Sequence, residues 1–321
     1  MKRVAAVVTI ALAGCAAEPL RAPDMSMPAA YTAAPLAAQT ASAPAVHGGD
    51  AQRFAWGRDI PAEWWTLFRS PTLDALVRRA LDGSPTLARA SAKLREANER
   101  REARAGDTQL PRLDAKLSAN RVDVQPEALG APALPVSTPL NLYLASVALS
   151  YHFDLFGATR SELDGLRAQV DAERYELEAA RLMLAGNVVT AAIREASLRE
   201  QIAVANEIVA LQERRLAIVE RLEALGTAAH ADVEAQRLEL AQTRALVPEL
   251  ERQLAQVRHR LAAYVGAPPA TAELPELRLA DLQLPAELPL TLPSELARQR
   301  PDIRASEALV ERAAANVGVA T

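Results

Sequence analysis

The sequence predicts a mainly α-helical protein that carries one β-hairpin and one long antiparallel helical hairpin. Three observations predict it. Half of the residues are hydrophobic but only 4% are aromatic, so much of the apolar content is alanine, a helix former of small volume. Apolar residues recur at helical spacing over most of the chain. The period drops to two in only two stretches, at residues 112–124 and 141–153, which therefore read as strands.

The 321 residues suffice for more than one ordinary domain. A formal charge of −4 and a pI near 5.7 leave no general basic surface for nucleic acid. A single cysteine excludes an internal disulfide and a cysteine-cluster metal site.

The chain opens with MKRVAAVVTIALAGC: a basic start, an apolar run from Val4 to Leu12, then small residues. Residues 1–14 read as a secretory signal peptide, too short to anchor the protein by spanning a bilayer. Cys15 by itself could be a lone buried thiol. However, Leu12-Ala13-Gly14-Cys15 resembles the lipobox of bacterial lipoproteins, which implies cleavage before Cys15 and its lipidation with a diacylglycerol and an N-acyl chain (palmitate). Several acyl chains hold a membrane stably where one does not. Ala16, rather than aspartate, after the cysteine implies passage to the outer membrane. Cleavage removes Lys2 and Arg3 and leaves a net charge of −6. From residue 15 to 60 the chain is rich in Ala and Pro and reads as an extended tether. No later run approaches the ~18 apolar residues of a membrane helix.

Helices are expected over 71–105. Leu73, Leu76, Val77 and Ala80 share a face, Asp82-Gly83-Ser84-Pro85 ends the first helix, and a second runs from Pro85 to about Ala105. Trp64 and Trp65 read as a packing anchor rather than a ligand platform.

In the first strand Leu113, Ala115, Leu117 and Ala119 alternate with Asp114, Lys116, Ser118 and Asn120. A Pro-rich loop follows. In the second, Tyr143, Ala145, Val147, Leu149, Tyr151 and Phe153 share one face, while Ser146, Ala148, Ser150 and His152 share the other. A soluble antiparallel sheet gives the same alternation. Strand length favours a transmembrane barrel, as do the aromatic residues at both ends of the apolar face.

After Asp154-Leu155-Phe156-Gly157 the helical period returns. It runs unbroken from Ala158 to Leu225, roughly 100 Å of helix, a length that calls for coiled-coil packing. GTAAH turns the chain sharply, and a second helix returns to about Val265, with Pro248 expected to kink or break it. The short turn makes the two helices antiparallel neighbours. Residues 267–300 read as a Pro-rich, extended linker. Pro301 then opens a helical pattern resembling that of Pro85, with Leu87 on Ile303, Ala92 on Ala308, Leu94 on Val310 and Ala97 on Ala313.

Four quoted stretches carry a family resemblance: WWTLFRSPTLDALVRRAL, FDLFGATRSELDGLRAQVDAERYELEAARLMLAGNVV, ADVEAQRLELAQTRALVPELERQLAQVRHRLAAYVGAPP and LPSELARQRPDIRASEALVERAAANVGVA. They resemble the TolC-like outer-membrane efflux factors, in the branch of NodT-type lipoproteins. The resemblance implies two structural repeats per subunit, with 61–266 as the first and 301–321 as the start of the second. It implies a homotrimer with one β-barrel in the outer membrane and an α-barrel tunnel across the periplasm. On that pattern the 321 residues are expected to be part of a longer chain, not a working channel by themselves.

The function implied is passive conduction of drugs or other small solutes from an inner-membrane pump, through a periplasmic adaptor, to the exterior. Asp114, Lys116, Ser118, Asn120, Ser146 and Ser150 are expected to face the lumen, and the Tyr143/Val147/Tyr151 face to meet lipid. The resemblance places adaptor docking at the hairpin tip: Leu225, Gly226, Thr227 and Asp232. Asp232 either joins a polar network closing the tunnel or simply supports its own helix dipole. Ala229 stands where relatives often carry a capping Ser or Thr, so Thr227 is the expected substitute cap.

No catalytic constellation, cofactor loop or metal spacing is found. His47, His152, His230 and His259 are scattered, and pairs such as Glu173/Arg174 and Glu213/Arg214 read as solvated helix faces. The reading is therefore not an enzyme, with no cofactor and no metal. The alternative is a periplasmic lipoprotein adaptor or scaffold with a coiled-coil hairpin.

Overall fold

The computed structural model describes residues 37–43, 45, 48–122, 140–291 and 293–320. Cys15, the signal peptide and the loop at 123–139 lie outside them. In order come β1 (Arg53–Trp56), a short 3₁₀ turn (Trp64–Phe68), α1 (Pro71–Gly83), α2 (Pro85–Gln109), β2 (Arg112–Val122), β3 (Leu140–Ser150), α3 (Ala158–Ala224), α4 (His230–Tyr264), β4 (Glu287–Leu290), α5 (Pro293–Gln299) and α6 (Pro301–Ala320). The described residues fall into two compact units. A strand unit gathers Leu94–Ala172 and Glu307 onward, and a helical unit gathers residues up to Lys93 together with Glu173–Ser306.

In the helical unit, Ser70 caps α1 by accepting a hydrogen bond from the Leu73 N–H, and Pro71 sits at the first helical position, where its missing N–H costs nothing. The α1 face of Leu73, Leu76, Val77 and Ala80 is buried. The core also takes in Val188, Leu198, Leu261 and Leu277. Trp65 is buried and its indole N–H donates to Asp74, while Trp64 sits edge-on to Trp65 and Phe68. At the far end of α1 the backbone meets itself. Gly266, with φ +71°, lies so close to Gly83 that a Cβ would fall 2.1 Å from the Gly83 carbonyl oxygen.

Helices α3 and α4 are antiparallel, as the short turn requires. Glu220 pairs with Arg237, Glu213 with Arg244, and Arg194 reaches Gln253, so partners move apart in sequence with distance from the turn. The seam follows a heptad spacing. On α4, Val233, Gln236, Leu240, Thr243, Val247, Leu250, Leu254, Val257 and Leu261 are all at least partly buried. Pro248 lies inside α4 without breaking it, so of the kink or break expected from sequence the break is excluded. It sits on the exposed side of the helix, one position past the seam.

Two further expectations need correction. The tether at 15–60 is folded at its C-terminal end: β1 pairs in parallel with β4, register Arg53↔Glu287 to Trp56↔Leu290, and Arg53 and Arg58 both bind Glu287. The linker at 267–300 likewise contains β4 and α5. Two four-residue strands far apart in sequence show no period, which is why the sequence hides them.

In the strand unit, Arg104 of α2 pairs with Glu162 of α3. The α6 helix approaches α3 through small residues: a Cβ on Gly165 would touch that of Ala315, and one on Gly318 would fall 2.8 Å from the Ser161 hydroxyl oxygen. α2 and α6 both begin at proline, but they bury different positions: Leu87 and Ala97 on α2, Ala305 and Ala308 on α6.

Candidate functional site

The β2–β3 hairpin pairs every residue from Arg112↔Ser150 to Val122↔Leu140. This register sets Leu113 against Leu149, Ala115 against Val147, Leu117 against Ala145 and Ala119 against Tyr143 on one face. Asp114, Lys116, Ser118 and Asn120 lie on the other, opposite Ala148, Ser146, Leu144 and Leu142, and Ser150 shares that face through Arg112. Leu113, Leu117, Tyr143, Val147 and Leu149 are between 67% and 84% exposed. A contiguous exposed apolar sheet face of this kind marks a surface that meets a partner or a membrane. The second strand is shorter than the 141–153 expected. It stops at Ser150 because its partner starts at Arg112 and the preceding Pro111 has no N–H to donate. Tyr151, His152 and Phe153 follow outside the ladder.

Asp154-Leu155-Phe156-Gly157 turns the chain from strand to helix. Gly157 takes φ +83°, a conformation that other residues rarely adopt. The Asp154 carboxylate accepts hydrogen bonds from the Thr159 and Arg160 backbone N–H groups, satisfying two of the four orphan donors of α3. The Arg160 N–H, before the other bonds and the arginine's charge, holds the Asp154 carboxyl below its usual range. A depressed carboxylate stabilises the fold above its unfolded pKa of ~3.9 and loses that effect as pH falls through the native value. Asp154→Ala is therefore expected to speed hydrogen exchange at Thr159 and Arg160 at pH 7, and wild type should approach the variant's rates only in acid, once the intrinsic exchange rates are allowed for. Equal protection at pH 7 would remove the capping role. Leu155 and Phe156 are 82% and 89% exposed.

At the hairpin tip, in the helical unit, α3 ends in a Schellman motif. The Thr227 N–H donates to the Leu222 carbonyl and the Gly226 N–H to that of Glu223, with Gly226 at φ +74°. Leu225 projects from the turn, 70% exposed. Thr227 does not cap α4 as expected: its hydroxyl donates to the Leu222 carbonyl of the helix just ended. Asp232 instead reaches back to accept the Ala229 N–H. The tip is fastened by His230, whose Nδ1 lies 2.8 Å from a Glu223 oxygen.

Comparison with known proteins now bears on these features. The sequence pattern of the outer membrane efflux protein family matches residues 76–267. The chain belongs to this family. Pyoverdine export outer membrane protein OpmQ of Pseudomonas putida is 32% identical over 80% of this chain and 55% of its own length. Fusaric acid resistance protein FusA of Burkholderia cepacia is 29% identical over 81% of this chain and 49% of its own. Among solved structures, the outer-membrane channel OprN is 31% identical with a TM-score of 0.71, over 91% of this chain and 63% of that one. The chain thus spans about half the length of the curated relatives it matches. Membership favours a channel subunit over the adaptor that a long hairpin alone allows.

One feature of this efflux-family chain escaped sequence reasoning. Glu195 is only 1% exposed and binds Arg258 of α4 at 2.7 Å and Arg199 at 3.1 Å. Arg199 in turn holds Glu276, beyond α4, at 3.0 Å. The available signal was phase. Val188, Glu195, Ile202, Val209 and Leu216 follow at steps of seven, so this glutamate occupies a seam position and differs from the solvated pairs on the outer faces. Among the described residues no group of His, Cys, Asp and Glu could hold a metal ion, and no helix is long and apolar enough to cross a membrane.

Proposed function

We propose that the chain is a subunit of an outer-membrane efflux channel that conducts small solutes passively and carries out no covalent chemistry. The observation that carries this reading is the β2–β3 hairpin, with one exposed apolar face and one polar face in register. In hydrocarbon an unpaired strand edge costs several kcal/mol per group, so the outer edges of β2 and β3 need strands from elsewhere. A homotrimer closing one barrel meets that need. Asp114, Lys116, Ser118, Asn120, Ser146 and Ser150 then line the lumen, with Tyr143, Val147 and Leu149 against lipid.

A second seam on α3 supports the tunnel. Val204, Ile208, Leu211, Ile218 and Leu222 recur at alternating three- and four-residue steps, with Arg215 in the one remaining slot and Leu225 continuing the row in the turn after α3, and all are exposed. A helix with one seam on α4 and another left open is built to stand between two neighbours. The tip of Leu225, Gly226, Thr227 and Asp232 is the part of such a tunnel that meets an adaptor and inner-membrane pump. Cys15 is the lipid anchor, as in NodT-type lipoproteins. Asp232 supports its own helix start through the Ala229 N–H.

Adjacent residues on opposite strand faces give the test. Cys15 is the sequence's only cysteine and is blocked once lipidated, so Ser146→Cys and Val147→Cys report cleanly. In isolated outer membranes a charged maleimide is expected to label Ser146→Cys, and to label Val147→Cys only after detergent. Equal labelling of both would sink the membrane assignment.

A further inference from the structure

Beneath the strand-to-helix turn, within the strand unit, lies a cavity of about 300 Å³. Its polar lining comes from Thr108 and Gln109 at the end of α2, His152 and Asp154 after β3, and Arg160 and Asp164 in the first turns of α3. Each oxygen of Asp154 accepts one backbone N–H, and the Arg160 guanidinium acts on that carboxylate through space. Arg160 and Asp164 lie one helical turn apart, yet neither is among the ion pairs of the described residues, where other i,i+4 pairs such as Arg78–Asp74 do close. The lining therefore offers a guanidinium, an imidazole and a carboxylate, with Arg160 and Asp164 one helical turn apart.

Tyr151 joins the apolar side to this polar one, and Leu163 adds to the apolar lining. Tyr151 lines the cavity and also packs edge-on against Phe153 at 4.8 Å. Tyr151 and Phe153 follow β3 outside its ladder, just beyond the row of Tyr143, Val147 and Leu149 that the proposed function sets against lipid. Phe153 is exposed. A ligand filling this place must carry an anion and a cation a few ångströms apart, joined to an apolar body lying along the Tyr151/Phe153 pair.

We infer that the cavity holds the headgroup of a zwitterionic aminophospholipid from the bilayer leaflet nearest the helices, with the phosphate on Arg160 and His152 and the ammonium on Asp164. Charge-assisted hydrogen bonds of this kind are the strong ones, and an ammonium with free N–H donors satisfies a carboxylate as a quaternary ammonium does not. The inference rests on the membrane reading of the β2–β3 hairpin.

Native mass spectrometry of the detergent-solubilised full chain tests it, with dioleoyl phosphatidylethanolamine, phosphatidylglycerol and phosphatidylcholine as probes. Phosphatidylethanolamine is expected to be retained preferentially. Arg160→Gln keeps the backbone N–H that Asp154 accepts, and should weaken phosphatidylethanolamine and phosphatidylglycerol about tenfold. Asp164→Asn should weaken phosphatidylethanolamine alone, down to the level of phosphatidylcholine. Equal retention of the three lipids overturns the site, as does phosphatidylethanolamine binding unchanged in both variants, or displacement by soluble O-phosphoethanolamine at equal concentration. Maleimide labelling of Ser146→Cys and Val147→Cys separates this failure from that of the underlying reading. Labelling of Ser146→Cys alone in membranes, without lipid preference, refutes the site alone. Equal labelling of both refutes the membrane reading, and the site with it.

Discussion

Gly266→Ala is expected to destabilise the helical unit by about 3 kcal/mol or more, lowering the thermal midpoint by about 6–12 °C. Two costs combine. Gly266 has φ +71°, and the new Cβ would fall 2.1 Å from the Gly83 carbonyl oxygen and 3.4 Å from Pro85 Cδ. Rotating a side chain relieves neither, because the obstacle is backbone. The reverse approach is tight as well, since a Cβ on Gly83 would lie 2.6 Å from the Val265 carbonyl oxygen. The two glycines therefore let the end of α1 touch the exit of α4 without an intervening side chain. Gly186→Ala is the matched control. It sits inside α3 with open space where its Cβ would go, and should be stabilising by about 0.5–1 kcal/mol. Circular dichroism melts of the three proteins in one detergent decide the matter. Equal midpoints for Gly266→Ala and wild type would remove the contact from the account.

The second large effect is expected at Glu195. Glu195→Ala leaves Arg258 and Arg199 without the buried carboxylate they share. Removing one partner of a buried pair typically costs 3–5 kcal/mol. About 3 kcal/mol is expected here, because Arg258 and Arg199 keep 32% and 28% of their side chains in water and Arg199 keeps Glu276. The double variant Glu195→Met/Arg258→Met should recover most of the loss, since a well-packed apolar pair can replace a buried ion pair at little net cost. Urea titrations that give additive losses for the two substitutions would show that the residues do not act as a pair.

Much of this was legible because helix and strand periods survive any tertiary context. The unbroken helical period of α3 and the two faces of the β2–β3 hairpin can be read from spacing alone. What sequence left out depends on distance in the chain. β1 and β4 are four residues each, β4 carries Pro289, and neither means anything without the other. Glu195 reads as a surface residue from composition, although its heptad phase places it inside. At the candidate site the polar strand face is readable from alternation. The Asp154 motif is visible in sequence but its N–H donors are not, and Thr227 reads as a cap for the wrong helix. A hydroxyl between two helices can serve either one, and only the backbone path of the turn decides.

The pairing of β1 with β4 also orders events in time. Arg53 and Glu287 are 234 positions apart, and closing so long a loop is slow relative to the local zippering of α3 on α4. A polypeptide threaded N-terminus first into the periplasm delivers β1 early and β4 more than two hundred residues later. Until then β1 has only its local bridge to residues 38–40, and its other edge stays open in a compartment where other incomplete chains offer edges of their own. The bonds of β1 to β4 thus close after the α3–α4 hairpin has zipped, and export must keep one edge of β1 open until its distant partner arrives.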